Sequence, residues 1–217
     1  INRVVSVPHE LPAGPWTAAL QASGSVESLD GALQIQTGRD LSLNADWSLA
    51  LSPLLAFETE VHATLGASVV PEELAWLDTV TASLSIKEDE DGVFHIPSLA
   101  AAAGVATLDA SGVFDLAGHV AEARADIRMA DMVVFEPFLP VEARGEITST
   151  FELHASGSEL LAELGARSER IGVGSDAGLD APEISFMVTG PSWWSESPRD
   201  YEIVSKGRSD VAVEALY

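Results

Sequence analysis

In the stretch Leu41-Ser42-Leu43-Asn44-Ala45-Asp46-Trp47-Ser48-Leu49-Ala50-Leu51, every second side chain is apolar and those between are small or polar. A period of two places alternate side chains on opposite faces of a β-strand. The same alternation returns at residues 57–65, 80–86, 121–129 and 147–155. The sequence therefore predicts several strands that each have one apolar and one polar face.

Turn signals indicate how these strands connect. Residues 52–56 separate two long alternating runs, which predicts an antiparallel hairpin over residues 41–65. Asp91-Gly92 is a strong hairpin signal between Ile86 and Phe94. Consecutive strands joined by short loops predict an antiparallel meander. A further strand is predicted at residues 183–188, and short helical turns are predicted at residues 71–77, 97–103 and 158–164.

Composition restricts the class of protein and its partners. The chain has 217 residues, 47% of them apolar, which is enough for a folded unit. Its formal net charge is -23, so we expect no nucleic-acid partner, since phosphate would be repelled. There is no cysteine, and no apolar run is long enough to span a bilayer. From the opening residues we expect a processed chain or a fragment of a longer repetitive protein, with residues 1–217 forming a single β-rich unit.

Residues 104–129 combine a glycine-punctuated strand with an alternating strand, and an apolar link at residues 132–139 follows. The theme repeats at residues 144–157 and is echoed at residues 24–38. This pattern resembles the repeating unit of the TamB and AsmA-like families. The resemblance covers residues 23–157, whereas residues 158–217 are less regular.

Membership of these families would imply an open half-pipe: a long twisted sheet with an apolar interior. It would also imply a periplasmic protein anchored in the inner membrane, with phospholipid as cargo and an outer-membrane assembly β-barrel as a partner. The resemblance supplies no catalytic residues and no cofactor.

The strand pattern predicts few helices to cover the apolar face, which leaves a second sheet, closure of the sheet, or a curved groove that holds lipid. We favour the groove, in an all-β antiparallel meander curled into an open half-pipe, with a β-sandwich as the alternative fold. The predicted groove residues are mostly aliphatic, as acyl chains require: Leu43, Trp47, Leu49, Leu51, Phe57, Val61, Leu84, Ala125, Ile127, Met129, Ile147, Phe151 and Leu153.

Motifs for catalysis or metal binding are weak. Residues 172–177 fit the letters of a dinucleotide-binding fingerprint, but Gly178 and Pro182 follow where a helix should begin. Residues 87–92 are interpreted as a solvated acidic hairpin tip, because a calcium loop would place Lys87 at an acidic position. The five histidines occur singly, and His62 and His154 are expected on polar faces. The sequence predicts no enzyme, no cofactor and no metal site.

Two alternative functions stay open. A structural or adhesive β-domain of a secreted or surface protein would have a closed core and a partner surface, for which Trp193-Trp194 is the candidate. Adjacent tryptophans in a loop more often pack back onto the sheet, with one partly exposed. A hydrolase on a β scaffold would need converging carboxylates, and Asp176, Asp180 and Glu183 are the nearest cluster.

Overall fold

The computed structural model describes residues 15–38, 40–66, 70, 72–134, 143–173, 177–195 and 201–213. These residues form one open antiparallel sheet of 14 strands, with a 3-10 helix at Glu72–Leu77 between the fourth and fifth strands. The strands are β1 Trp16–Gly24, β2 Ser28–Thr37, β3 Leu41–Ala50, β4 Ala56–Leu65, β5 Thr79–Glu88, β6 Phe94–Ala103, β7 Ala106–Asp115, β8 Val120–Met129, β9 Ala143–Arg144, β10 Ile147–Ser156, β11 Glu159–Arg167, β12 Arg170–Val173, β13 Ala177–Pro191 and β14 Glu202–Val213.

The first eight strands form the predicted meander, in which each strand pairs with the next along the chain. The hairpin over residues 41–65 is confirmed, since β3 and β4 pair without a break from Leu41↔Leu65 to Ala50↔Ala56. The Asp91-Gly92 turn is also confirmed and joins β5 to β6, with Gly92 at φ 78°.

The C-terminal third continues the meander, although two of its strands are divided. Strands β9 and β10 are successive segments that occupy one strand position in the sheet, because β9 pairs with β12 and β10 pairs with β11. We call such a position a line. Strands β11 and β12 likewise both pair with β13, along residues 183–191 and 177–180 of that strand. With β9/β10 and β11/β12 each counted as one line, the 14 strands make 12 antiparallel lines from β1 to β14.

The divided lines share a bend that crosses the sheet. At Gly145 the backbone has φ 133°, and a Cβ there would lie 2.4 Å from the carbonyl oxygen of Arg170, so this crossing requires glycine. On the next line, the Ser168 N–H donates to the Pro182 carbonyl at 3.1 Å. The β13–β14 register shifts at the same level, between Asp180 and Glu183. A β-bulge of this kind bends the strand that contains it.

Two predicted helical turns are wrong. Residues 97–103 lie within β6, and residues 158–164 lie mostly within β11. Each segment has strands on both sides, so its backbone hydrogen bonds go to neighbouring strands and override the helix propensity of Ala and Leu. The helical turn at residues 71–77 is confirmed as the 3-10 helix, although Pro71 itself lies outside the described residues.

The described residues form one sheet rather than the two facing sheets of a sandwich, so the alternative fold is not observed.

Candidate functional site

One face of the sheet is apolar from β1 to β14. Directly opposed residues of an antiparallel pair lie on the same face, so the register traces each face across the strands. The row Leu49↔Phe57↔Ile86 illustrates this, since all three side chains are apolar. We call this the apolar face; its larger members include Trp16, Leu20, Leu29, Leu33, Ile35, Leu41, Leu43, Trp47, Leu49, Phe57, Val61, Leu65, Leu84, Ile86, Phe94, Ile96, Leu99, Leu108, Phe114, Ile127, Met129, Ile147, Phe151, Leu153, Leu160, Leu164, Ile184, Phe186, Val188 and Ile203.

Every predicted groove residue that belongs to a strand lies on the apolar face. Leu51 lies just beyond β3, which ends at Ala50, and begins the turn to β4 with 48% of its surface exposed. The prediction missed members from strands that it did not identify, among them Leu33, Leu99 and Leu160. Their signal was present as apolar residues at every second position.

The apolar face is largely uncovered. Among the described residues only Val70, Ala121, Ala143 and Ala155 are buried apolar side chains. Large members of the face remain accessible in the middle of the sheet, as Ile127 does with 38% of its surface exposed. Within the described part of the chain, the face is packed against neither a second sheet nor a long helix. Soluble monomers rarely leave so extensive an apolar surface open without a use for it.

The bend adds a recess to the apolar face. A pocket of about 270 Å³ lies where the divided lines cross the bulge of β13. Its apolar lining comes from Ile147, Ala166, Ile171, Leu179, Pro182 and Ile184. Four separate strands therefore contribute apolar walls to the pocket, and Arg167, Ser168, Glu183 and Arg208 complete its lining. Its apolar walls suit a hydrocarbon chain.

The opposite face is charged. Its carboxylates include three like-charged cross-strand pairs, Asp46↔Glu60, Asp109↔Asp126 and Glu152↔Glu163. Arg124 lies 3.5 Å from both Asp126 and Glu152 and partly offsets two of these repulsions. All of these side chains are accessible to water, where such pairs contribute little to stability. This face keeps the sheet hydrated.

The histidines on the charged face match their predicted positions. His62 lies beside Glu60 at 3.2 Å, and His154 lies beside Glu122 at 3.2 Å. Within the described residues, no group of three or more His, Cys, Asp and Glu side chains is arranged to hold a metal ion. His62 and His154 are thus each paired with one carboxylate on a solvated surface.

The acidic hairpin tip is organised by Asp89. Its carboxylate accepts hydrogen bonds from the N–H groups of Asp91 and Val93, both at 3.0 Å, and lies 2.8 Å from His95 Nε2. The hydrogen bond with His95, followed by that from Val93, lowers the pKa of Asp89 from its usual 3.8. The tip is a self-contained turn rather than an open cation loop.

Acid should disrupt this tip. A carboxylate whose pKa is lowered by folding stabilises the folded form above its unfolded-state pKa, and that stability is lost as the pH falls through the lowered value. We expect Asp89 to titrate below pH 3.8 in an NMR experiment, with the amide signals of Asp91 and Val93 shifting in the same transition. Asp89→Asn should remove the transition from both amides. A midpoint at or above 3.8 would refute this account of the turn.

The tryptophan pair packs back onto the sheet, as predicted. Ser192 anchors the segment after β13, because its hydroxyl donates to the Gly157 carbonyl and its N–H donates to Ser158 at 2.9 Å. The ring of Trp194 stacks on His119 with centroids 5.7 Å apart, while 43% of Trp193 is exposed. These contacts join the turns β7–β8 and β10–β11 to the end of β13 at one end of the sheet.

The weak enzymatic motifs do not assemble into a recognisable site. Around residues 172–177, β12 ends at Val173 and β13 begins at Ala177, so two strands flank the motif in place of the helix that a dinucleotide requires. Asp180 faces Arg170, whose Nε lies 3.6 Å from its carboxylate, and Glu183 lies opposite Arg167 and Arg208. Asp176 lies outside the described residues.

Across the described residues we find no helix with the length and hydrophobicity needed to cross a bilayer. Comparisons with protein-family models, curated proteins and solved structures gave no significant match.

Proposed function

We propose that this chain binds the acyl chains of phospholipid along its apolar face and carries them between membranes, as a periplasmic bridge of the TamB and AsmA-like kind. One observation carries the proposal: a continuous apolar face that spans all 12 lines of the sheet and is left uncovered in the described part of the chain. Burying that surface against hydrocarbon would be favourable, at about 25 cal/mol per Å².

The dimensions of the face suit an extended apolar ligand. Twelve lines about 4.8 Å apart make a track about 53 Å long, and strands of ten residues make it about 33 Å wide. Several acyl chains would fit along this track at once. Because alkyl chains need no directional partner, side chains such as Leu84, Ile127 and Phe151 supply a sufficient wall.

The side chains of the apolar face are less exposed than those of the charged face, as expected where apolar side chains pack beside one another. Along β4 the apolar residues Phe57 and Val61 are half-buried, whereas Glu58 and Glu60 on the other face are exposed. The pocket at the bend, with a volume of about 270 Å³, offers a seat for a chain terminus on this face. The charged face would remain in water while lipid moves along the other.

Trp47 offers a direct test, because its indole lies on the apolar face. We expect phospholipids with brominated acyl chains to quench the fluorescence of Trp47, since bromine quenches only on close contact. The Trp47→Phe protein should lose that part of the quenching. Trp76→Phe is the control, because Trp76 lies in the 3-10 helix at the sheet end beside the Gly104 turn.

Trp16 also lies on the apolar face, because it is opposite Thr37 and Thr37 is opposite Leu41. Equal quenching in the parent protein and in a Trp16→Phe, Trp47→Phe double variant would place the lipid elsewhere and refute the proposal. Absence of quenching at saturating lipid would favour the alternative, a structural or adhesive β-domain without lipid cargo. In either case, catalysis has no part in the mechanism proposed.

A further inference from the structure

The pocket at the bend combines apolar walls with charged residues. Ala166 and Ile184 belong by register to the apolar face. Their sequence neighbours Arg167 and Glu183 belong to the charged face, as does Arg208. Residues of both sets line the pocket, at the level where β11 ends and the β13–β14 register shifts. An acyl chain that enters the pocket from the apolar face therefore ends beside charged groups.

Two arginines flank one carboxylate at this pocket. Arg167, Glu183 and Arg208 are directly opposed on three adjacent lines, and all three side chains are exposed. We call Arg167 and Arg208 the pocket arginines. Although Glu183 lies opposite both, it forms no ion pair with either within 4 Å. Both guanidiniums therefore keep their hydrogen-bond donors available.

The pocket arginines are unpaired in a chain that has an excess of acid. The sequence contains 34 Asp and Glu against 11 Lys and Arg, so carboxylates are not scarce. Within the described part of the chain, neither pocket arginine has an ion-pair partner within 4 Å. Other basic side chains do pair with carboxylates, at 2.7–3.6 Å: Lys87, Arg124, Arg128 and Arg170. Two free guanidiniums at one pocket offer a place for an anion from outside the chain.

The carboxylates near the pocket differ in their access to these arginines. Asp180 lies 3.6 Å from Arg170 and is paired with it. Asp210 is opposed to Asp180 and to neither pocket arginine. Glu183 is opposed to both pocket arginines, so it competes with any added anion. An anion must bind more strongly than this single exposed carboxylate does.

We propose that the pocket at the bend is a headgroup site, which holds the phosphate of a phospholipid between Arg167 and Arg208 while an acyl chain lies on the apolar walls. A guanidinium donates two parallel hydrogen bonds to phosphate oxygens, and such charge-assisted bonds are stronger than neutral ones. The pocket arginines lie two lines apart, about 10 Å, so their long side chains reach one phosphate from both sides. This inference rests on the proposed function and adds the part of the lipid that is recognised.

Two soluble lipids that differ only in the phosphate test the inference: dioctanoyl phosphatidic acid and dioctanoylglycerol, each titrated below the concentration at which it aggregates. We expect the 217-residue chain to bind phosphatidic acid about tenfold more tightly at physiological ionic strength, where the net charge of -23 is screened beyond about 8 Å. Equal affinities would overturn the headgroup site and leave the proposed function intact. Binding of neither lipid would contradict both.

Charge-matched variants locate the site. The Arg167→Gln, Arg208→Gln double variant should lose about tenfold in affinity for phosphatidic acid and should bind dioctanoylglycerol within about twofold of the parent. Its control is Lys87→Gln with Arg124→Gln, which removes two positive charges from β5 and β8, outside the pocket. Equal losses in both would indicate a general effect of net charge and would refute the site. Glu183→Gln removes the competing carboxylate and should tighten phosphatidic-acid binding about threefold.

Inorganic phosphate distinguishes a lipid site from a simple anion site. Because the apolar walls also contribute to lipid binding, inorganic phosphate should displace phosphatidic acid only at a concentration at least about a hundredfold higher. Displacement at equal concentrations would mean that the pocket arginines bind the anion alone. That result would overturn the assignment to a lipid headgroup.

Discussion

Ile127→Arg is expected to lower the affinity for acyl chains by at least about thirtyfold while leaving the strand content unchanged. Ile127 lies near the middle of the apolar face, opposite Leu108 and Ser149. A guanidinium at this position must be desolvated against hydrocarbon or must displace the ligand, which costs about 2 kcal/mol or more. Because 38% of Ile127 is exposed in the free protein, the arginine can reach water when no lipid is bound. Titration with a fluorescent fatty acid and circular dichroism would measure the two effects.

Thr150→Arg is the matched control for that substitution. Thr150 lies on the charged face one strand away, opposite Asp126, so the same charge is added on the solvated side. Its acyl-chain affinity should stay within about twofold of the parent protein. Unfolding of the Ile127 variant alone would mean that the apolar face is a closed packing surface. Unchanged binding in that variant would mean that lipid does not occupy the face.

Gly31→Val is expected to lower the free energy of unfolding by about 2–3 kcal/mol. Gly31 lies opposite Trp47, and a Cβ at Gly31 would lie 2.2 Å from Trp47 Cζ2 and 2.8 Å from the carbonyl oxygen of Gln21. The indole occupies the space that a side chain would need, so it must leave its position over the β2 backbone. Urea denaturation would give the loss of stability, and a shift in tryptophan emission would report the displaced ring.

Two variants separate this steric explanation from a general effect of valine. Ala32→Val is one residue away on the charged face and should change stability by no more than about 0.5 kcal/mol. Combining Gly31→Val with Trp47→Leu should recover part of the loss, because the smaller side chain makes room. If the Gly31→Val and Ala32→Val proteins had the same free energy of unfolding, the steric explanation based on Trp47 packing over Gly31 would be wrong.

Alternation alone predicted much of the sheet. The runs at residues 41–51, 57–65 and 121–129 became β3, β4 and β8, because strict alternation is incompatible with the face of a helix. The same alternation predicted that Trp47 and Phe151 lie on one face, although they are far apart in sequence. In an antiparallel meander, the register determines which side chains of each successive strand lie on that face.

Propensity misled where side chains were small or good helix formers. The alanines at residues 100–103 and the Leu-Leu-Ala series in residues 158–164 favour helix in isolation. Pairing with strands on both sides determines the conformation of these segments. The local sequence contains no information about those partner strands. The bend was also invisible, since it depends on Gly145 meeting Arg170 and on a bulge near Pro182 in a third strand.

The apolar pocket and the contacts of the tryptophan pair could not be predicted from the local sequence either. Ile147, Ile171 and Ile184 converge only because the three lines bend together. Trp194 meets His119 only because the turns of β7–β8 and β10–β11 lie at the same end of the sheet as the end of β13. Long-range placement of this kind follows from the topology rather than from any local pattern.

The two faces have opposite effects on the tendency of such a sheet to aggregate. An uncovered apolar face promotes aggregation, and a net charge of -23 opposes it through repulsion between copies. Like-charged pairs such as Asp109↔Asp126 lower the stability of the sheet somewhat. Their negative charge lies on the charged face, where it repels other copies. We therefore interpret the acidity as compensation for an exposed apolar surface.

The most direct measurement is native mass spectrometry of the protein purified without detergent, followed by organic extraction and lipid analysis. We expect masses above that of the free chain by whole phospholipids, and we expect the stripped protein to regain these lipids from added vesicles. A folded protein with only the mass of the polypeptide, which takes up no lipid when it is offered, would contradict the assignment of the apolar face as a lipid-binding surface.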